Sequence, residues 1–255
     1  GELPSRLKSL GVTKALIVTD PGLLSTGIVA QACDSLAASD MSFTIYSDVQ
    51  ADPPEAVVLS AAAFARDQQI DGVVGLGGGS SMDVAKLIAV LASGREDIAQ
   101  LLESIYGIDL VLCDRLPLIQ VPTTAGTGSE VTPISIVTTG ATQKTGIVSK
   151  RLLPDFAILD AQLTVGLPSH VSAATGVDAM VHAIEAFTSK AKKNAYSDML
   201  AKQALLLLSA NIRQACTDGS DLDARQAMLL GSMLAGQAFA NAPVAAVHAL
   251  SLIHI

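Results

Sequence analysis

The sequence has no tryptophan and few other aromatic residues, and only three of its 255 residues are cysteines. Aromatic residues make up 3% of the chain, which removes the stacking platforms that proteins use to bind single-stranded nucleic acid. The chain has 16 lysine and arginine residues against 24 aspartate and glutamate residues, for a net charge of −8, and no basic run that could follow a phosphate backbone. We therefore expect no nucleic-acid partner.

The cysteine pattern and the lack of long apolar runs indicate the cellular compartment of the protein. Cys33, Cys113 and Cys216 lie far apart and form no CxxC motif, which is typical of buried thiols in a reducing cytosol rather than of a disulfide framework. The sequence contains no run of about 18 apolar residues and no signal-peptide pattern at its start. These features predict a cytoplasmic protein with no membrane span.

Half of the residues are hydrophobic and only 16% are charged, which is the composition of a folded chain. In the first part, short β-rich runs at residues 14–19, 42–46, 71–76 and 116–122 alternate with helical patterns at residues 23–38, 55–69 and 80–93. This rhythm predicts an α/β fold with a mostly parallel sheet and helices on both faces. Residues 131–150 predict a hairpin that turns at Gly140, and residues 156–159 predict one more strand.

After Ser169 the strand patterns end. Residues 170–188, 195–216 and 221–241 all show helical spacing of apolar residues, with much alanine and leucine. We place a domain boundary between residues 164 and 165, so that an α/β domain of residues 1–164 precedes an all-α domain of residues 165–255.

A glycine-rich turn at residues 77–79 joins the third strand to the third helix. Glycine lets a backbone approach a ligand closely, and the N-terminus of the following helix suits a pyrophosphate. Ser80 and Ser81 could cap this helix, and Asp83 lies in its first turn. The segment is neither a P-loop nor a full G-x-G-x-x-G motif, since Ser80 takes the place of the last glycine. A plain tight turn is the alternative.

Two further segments carry candidate chemistry. Residues 121–132, VPTTAGTGSEVT, follow the fourth strand and supply hydroxyl groups and exposed backbone N–H groups, which is typical of a ligand-binding loop, although a threonine-rich surface loop is the alternative. Glu130 could face inward or form an ion pair. Asp178 and His182 are four residues apart on a predicted helix and could chelate a divalent metal. His248 lies on another alanine-rich segment; a buried core histidine is the alternative for each histidine.

Four ordered segments now identify a resemblance: GGGSSMDVAK from residue 77, VPTTAGTGSEVT from residue 121, GVDAMVHAIEA from residue 176 and NAPVAAVHAL from residue 241. Together they resemble the iron-containing (group III) alcohol dehydrogenases, over nearly the whole chain. The resemblance implies a dehydroquinate synthase-like architecture, in which an N-terminal dinucleotide-binding domain precedes a helical metal-binding domain and the site lies in the cleft between them.

The resemblance also assigns roles to residues. Asp178, His182 and His248 match three of the four metal ligands of the family and would act in catalysis through the metal. The residues that we predict to bind the cofactor are Asp20, Asp52, Gly78, Gly79, Ser80, Asp83, Thr123, Thr124, Thr127 and Lys144. A carboxylate at Asp20 would accept a hydrogen bond from a ribose 2′-hydroxyl and repel a 2′-phosphate, which favours NAD over NADP.

The implied reaction is hydride transfer between a small alcohol, or its aldehyde or ketone, and nicotinamide. The metal would polarise the substrate oxygen. Histidine and carboxylate ligands suit Fe²⁺, and Zn²⁺ stays open. A hydroxyacid–oxoacid transhydrogenase, another polyol dehydrogenase and an NAD-binding module without turnover are the alternatives. We also expect a homo-oligomer, specifically a dimer.

The chain departs from the family at its ends. The family has a fourth metal-binding histidine in a PHG segment well beyond the third, whereas this chain stops seven residues after His248. The ending LSLIHI is encoded by a DNA string that resembles a transposase adapter used in sequencing libraries. We therefore expect that His254 has no role and that the helical domain is incomplete. The strand pair that precedes the first β–α unit in the family is also missing, and we expect weak activity at best from this chain.

Overall fold

The computed structural model describes residues 2–94, 96–140 and 143–243. These residues divide into two compact units. The first runs to Pro122 and also includes Pro133–Ile158, and the second contains Thr123–Thr132 and the residues from Leu159 onward. The domain boundary between residues 164 and 165 stays a prediction.

The first unit is an α/β structure. In chain order, its described elements are α1 (Glu2–Ser9), β1 (Lys14–Val18), α2 (Pro21–Leu24), α3 (Ile28–Ala37), β2 (Ser42–Tyr46), α4 (Glu55–Asp67), β3 (Gly72–Gly77), α5 (Gly79–Leu91), α6 (Ile98–Ser104), β4 (Gly107–Ile108), β5 (Leu118–Pro122), β6 (Ile134–Thr139), β7 (Gln143–Val148) and β8 (Phe156–Ala157).

The larger sheet positions a ligand site by its strand order. Within the described residues it has five parallel strands in the order β2-β1-β3-β5-β8. The chain moves from β1 to β2 on one side and then returns to place β3 on the other side of β1. At such a reversal, the crevice outside the carboxyl ends of β1 and β3 is where open α/β sheets bind ligands. Ala15, Leu16, Ile17 and Val18 are fully buried, because helices cover a parallel sheet on both faces.

The smaller sheet of the same unit is built on a hairpin. Strands β6 and β7 pair antiparallel from Ile134↔Val148 to Thr139↔Gln143, and β4 pairs parallel with β7. Gly140 follows β6 with a φ of +59°, a left-handed conformation that glycine adopts easily, at the predicted turn.

Two local predictions were wrong. The single helix predicted over residues 23–38 is broken, because Gly27 adopts a φ of +83° and becomes the N-cap of α3, three residues after α2 ends at Leu24. Ser80 and Ser81 do not cap α5: the helix begins at Gly79, so both serines lie inside it, and Gly78 is the N-cap. The short elements α1, α6 and β4 had not been predicted.

The second unit contains three long helices, α7 (Ser169–Thr188), α8 (Ala195–Thr217) and α9 (Leu222–Asn241), which all pack on one another. Glycine residues let these helices approach one another closely. A Cβ atom at Gly176 would lie 2.7 Å from Met228 Cε, and one at Gly231 would lie 2.8 Å from Leu208 Cγ. None of the described helices is long and apolar enough to cross a membrane.

An ion pair fixes the amino-terminal ends of β5 and β8. Arg115 donates from Nη1 to Asp155 Oδ2 at 2.7 Å and from Nη2 to Oδ1 at 3.1 Å, and the backbone N–H of Leu118 donates to Oδ2 at 2.8 Å. Burial opposes ionisation of Asp155, but these hydrogen bonds outweigh it and hold the pKa of Asp155 below its ordinary value. A lowered pKa in the folded state means that this stabilisation is present above the unfolded pKa and is lost as the pH falls through the folded pKa.

We therefore expect the Asp155→Asn variant to be less stable than the wild type at pH 7, by about 1.5 kcal/mol, and to lose less stability between pH 5 and pH 3. Urea unfolding at several pH values measures both effects. The matched control is Asp114→Asn, because Asp114 pairs with Arg151 on the surface with side-chain exposures of 89% and 53%. It should change stability by less than about 0.5 kcal/mol at pH 7. Parallel pH profiles for the wild type and Asp155→Asn would refute the role of this carboxylate.

Candidate active site

The glycine turn between β3 and α5 lies at the carboxyl end of β3, beside the reversal in strand order. Gly77 has a φ of +154°, and a Cβ atom there would lie 2.7 Å from Ser81 Oγ and 2.8 Å from Ser81 Cβ. No side chain caps the helix at Gly78. The first N–H groups of this 13-residue helix therefore carry no side-chain cap, which is the arrangement that a pyrophosphate needs.

Gln120 supports this turn from the neighbouring strand. It is fully buried on β5, and its Nε2 donates to the carbonyl oxygen of Met82 in α5 at 2.9 Å. A Cβ atom at Gly75, its partner on β3, would lie 2.0 Å from Gln120 Oε1. Gly75 thus makes room for the Gln120 amide, which holds the start of α5. The sequence reasoning missed Gln120.

Two of the predicted cofactor ligands, Asp20 and Asp83, accept hydrogen bonds from backbone N–H groups of the first unit. Asp20 follows β1 and caps α2 by accepting a hydrogen bond from the Leu23 N–H at 3.2 Å. Asp83 ties α5 to β6, because its Oδ2 accepts from the Ile136 N–H at 2.9 Å. The fully buried Lys86 strengthens that link by donating to the Ile134 carbonyl at 2.6 Å. Cofactor binding by Asp20 and Asp83 stays a prediction.

Two other predicted cofactor ligands contact each other. The Nζ of Lys144 on β7 lies 2.6 Å from Oδ1 of Asp52, in the loop that follows the carboxyl end of β2. Asp52 has a left-handed φ of +51°. Thr138 Oγ1 and N–H donate to the carbonyl oxygens of Asp52 and Pro53 at 3.0 and 2.9 Å, which fixes the loop against the hairpin.

In the second unit, the threonine- and glycine-rich loop packs on two helices. A Cβ atom at Gly126 would lie 2.7 Å from Thr175 Cβ on α7, and one at Gly128 would lie 2.6 Å from Gly236 Cα on α9. The loop residues Thr123 and Glu130 are buried, with exposures of 4% and 2%. Thr124 and Thr127 are partly exposed, and Thr127 Oγ1 accepts a hydrogen bond from the Ser129 N–H at 3.3 Å.

The carboxylate–imidazole pair lies on α7. Oδ2 of Asp178 is 3.9 Å from Nδ1 of His182, and the side chains are 42% and 9% exposed. The ring of Phe239 on α9 packs on the imidazole with 4.6 Å between ring centroids and so restricts its orientation. Phe239 is a second residue that the sequence reasoning missed, and no local sequence pattern indicates its contact with His182. His248 lies outside the described residues, and within them no group of three His, Cys, Asp or Glu side chains could hold a metal.

The residues present fit a divalent metal. Oδ2 of Asp178 and Nδ1 of His182 are 3.9 Å apart, and two ligands of a tetrahedral ion are about 3.4 Å apart, so a small side-chain adjustment would let both bind one ion. One imidazole nitrogen and one carboxylate oxygen are ligands that Fe²⁺ and Zn²⁺ both accept. The described residues thus offer two candidate metal donors on α7 in one unit and, in the other, a glycine turn whose helix N-terminus suits a pyrophosphate. Such features are typical of metal-dependent, nucleotide-linked enzymes.

Comparison with known proteins assigns the family. The family model "Iron-containing alcohol dehydrogenase" matches residues 1–161, and "Fe-containing alcohol dehydrogenase family, C-terminal" matches residues 172–253. The chain therefore belongs to the iron-containing alcohol dehydrogenase family. The resemblance that the four motifs indicated is confirmed.

Individual relatives agree with this assignment. Long-chain-alcohol dehydrogenase 1 of Geobacillus thermodenitrificans is 45% identical over 250 residues, which cover 98% of this chain and 62% of that protein. Among solved structures, 1,3-propanediol oxidoreductase superposes with a TM-score of 0.92 at 40% identity, over 98% of this chain and 64% of that one. The structure of sulfoacetaldehyde reductase from Bifidobacterium kashiwanohense in complex with NAD⁺ superposes with a TM-score of 0.87 at 32% identity. The match covers 98% of this chain and 65% of that one.

These likenesses confirm the predicted fold class, a mostly parallel α/β part followed by an all-helical part. The chain spans less than two thirds of the length of the relatives described, at 62%, 64% and 65%.

Proposed function

We propose that the protein is a metal-dependent, NAD-linked alcohol dehydrogenase that transfers hydride between a small alcohol and nicotinamide. The observation that carries this proposal is the Asp178–His182 pair, one helical turn apart and with its imidazole held against Phe239, in a member of this family. An NAD-binding module without turnover would have no use for such a pair.

Asp178 and His182 would hold the metal, with His248 as a further ligand. Iron is the metal that the family description names, and Fe²⁺ when bound would supply Lewis acidity for an alcohol or carbonyl oxygen. Phe239 keeps the imidazole from rotating and excludes water from one of its faces, which favours ligation in a single geometry.

The first unit would hold NAD, which supplies the hydride acceptor. Gly78, Gly79 and Ser80 at the start of α5 would donate backbone N–H groups to the pyrophosphate. Asp20 would accept from the adenosine ribose and repel a 2′-phosphate, so NAD is preferred over NADP. Asp83, the threonines Thr123, Thr124 and Thr127, and Lys144 with Asp52 complete the proposed cofactor-binding set. A solved relative in complex with NAD⁺ supports this choice of cofactor.

The enzyme assay follows directly from this proposal. With Fe²⁺ under anaerobic conditions and a panel of primary alcohols and diols, we expect NADH formation at 340 nm that a chelator abolishes. For the preferred alcohol, kcat/KM with NADP⁺ should be at least about tenfold lower than with NAD⁺. NADH binding without turnover of any alcohol or aldehyde would instead favour the non-catalytic nucleotide-binding alternative.

We also propose a cytoplasmic location and a homodimer. The three cysteines are free and only partly buried, which suits a reducing compartment. Tyr196, Met199 and Leu206 on α8 are 53%, 58% and 64% exposed, an apolar surface that a second copy could cover. A monomeric mass by light scattering would contradict the dimer.

A further inference from the structure

The side chain of Gln120 packs between β3 and α5 in the interior of the first unit, and no step of the proposed reaction uses it. We propose that Gln120 is a positioning residue for cofactor binding, which holds the glycine turn in the shape that a pyrophosphate fits and does so at a cost in stability. This inference rests on the proposed NAD-linked function and adds to it a residue that never touches the cofactor.

Two consecutive hydrogen bonds link Gln120 to the turn. Its Nε2 donates to the carbonyl oxygen of Met82 at 2.9 Å, and the N–H of Met82 donates to the carbonyl oxygen of Gly78 at 3.1 Å. Gly78 is the N-cap of α5, and the N–H groups that follow it are those that would face a pyrophosphate. The backbone of Gln120 is paired with Gly75 on β3 and with Ala157 on β8, so the link starts from a fixed point of the sheet.

The hydrogen bond from Gln120 is not needed to satisfy the backbone. Met82 lies inside α5, where its carbonyl oxygen accepts from the helical N–H four residues further on, so the amide is a second donor. The Oε1 of Gln120 is buried and accepts no hydrogen bond from any group in the described part of the chain. A buried acceptor without a donor lowers stability, and an apolar side chain of the same size avoids that loss. The amide is therefore better explained by what it holds than by what it contributes to the core.

The strand beside Gln120 is shaped to admit its amide. A Cβ atom at Gly75 would lie 2.0 Å from Gln120 Oε1, 3.0 Å from Gln120 Cδ and 2.9 Å from Ala85 Cβ on α5. Glycine inside a strand usually weakens it and often marks the close approach of another group. Two choices that are unfavourable alone, a glycine in a buried strand and an amide with an unpaired oxygen, thus occur together next to the turn. One function, holding the first turn of α5, accounts for both.

Replacement of Gln120 by methionine tests this role, because methionine has nearly the volume of glutamine but lacks the amide donor and acceptor. NADH affinity is measured by fluorescence titration and stability by urea unfolding. For Gln120→Met we expect Kd to rise about fivefold, the effect of one lost buried hydrogen bond, while the urea midpoint stays equal to that of the wild type or rises. An unchanged Kd would overturn the proposal. So would a midpoint that falls together with the affinity, since Gln120 would then be only a part of the core.

A comparison of two ligands determines where the effect acts. ADP-ribose contains the pyrophosphate, whereas adenosine does not, and the inhibition constant of each is obtained from its displacement of NADH. In Gln120→Met the constant for ADP-ribose should rise by the same factor of about five, and that for adenosine should stay within about twofold of the wild type. An equal loss for both ligands would show that the change does not act through the turn and would overturn the proposal.

Leu118→Met is the matched control. Leu118 is fully buried on the same strand and, two residues earlier, on the same face, so this variant also places a methionine in the core without altering the link to the turn. Its Kd for NADH should stay within about twofold of the wild type, and a loss as large as that of Gln120→Met would contradict the inference. Failure of the wild type to bind NADH would overturn the proposed function and this inference with it, whereas binding by the wild type with no specific loss in Gln120→Met would overturn this inference alone.

Discussion

Replacement of His182 by glutamine is expected to remove bound iron and to lower alcohol-dependent NADH formation by up to about 1,000-fold, which in a chain of weak activity means to the background rate. Lewis-acid stabilisation of developing charge is worth several kcal/mol, and about 4 kcal/mol corresponds to three orders of magnitude in rate. Iron per chain is measured by plasma mass spectrometry after anaerobic loading and desalting. It should fall at least about tenfold relative to the wild type, since a lost ligand costs more than a lost supporting contact.

Glutamine is chosen because His182 is buried against Phe239, and a smaller residue would leave a cavity that confuses ligand loss with unfolding. The structure offers a control on the same helix. His170 lies in the first turn of α7 and is exposed, so His170→Gln repeats the chemical change away from the proposed ligands. It should keep both iron and activity. Equal iron content in His182→Gln and His170→Gln would show that the imidazole at residue 182 is not a ligand.

The helix that carries Asp178 and His182 could be predicted from the sequence because every signal was local. Asp178 and His182 are one turn apart, and the apolar spacing around them continues for many residues, so α7 begins within one residue of its predicted start. The interior strands of the larger sheet could be predicted equally well. Because both of their faces are buried, each strand appears in the sequence as a short apolar run. The break between α2 and α3 was missed because apolar spacing continues across it, and only the left-handed Gly27 interrupts the helix.

Contacts between distant residues left no local pattern. Lys144 and Asp52 are 92 positions apart, and neither the hairpin nor the loop after β2 contains a feature that indicates the other. Phe239 on α9 and Gln120 on β5 were missed for the same reason: each acts by touching another element, His182 in one case and the first turn of α5 in the other. Sequence patterns therefore predicted the residue types of the proposed site, whereas the supporting contacts depend on tertiary structure.

The contact between Gly128 and Gly236 carries the second large prediction. A Cβ atom at Gly128 would lie 2.6 Å from Gly236 Cα and 3.1 Å from Gly236 N, and one at Gly236 would lie 2.9 Å from both Cα and O of Gly128. All four of these neighbours are backbone atoms, which cannot move aside as the end of a flexible side chain can. We expect Gly236→Ala to destabilise the protein by about 2 kcal/mol through overpacking. Gly128→Ala should cost about 3 kcal/mol or more, because its φ of +63° adds backbone strain.

Two glycines provide controls that separate crowding from backbone strain in urea unfolding. Gly166 has open space and no left-handed φ, so Gly166→Ala should change stability by less than about 0.5 kcal/mol. Gly140 has open space but a φ of +59°, so Gly140→Ala should cost about 1 kcal/mol from conformation alone. The expected order of destabilisation is therefore Gly166, Gly140, Gly236 and Gly128. If Gly236→Ala were as mild as Gly166→Ala, the loop would not lie on α9 as closely as the structure shows.

The same two substitutions should also weaken cofactor binding, because the loop that must shift carries Thr123, Thr124 and Thr127. A displacement of about 1 Å in a positioning loop can cost a hundredfold in function, so we expect NADH affinity to fall at least about tenfold in both variants. Stability and affinity should therefore fall together in these two variants, because one displaced loop accounts for both losses.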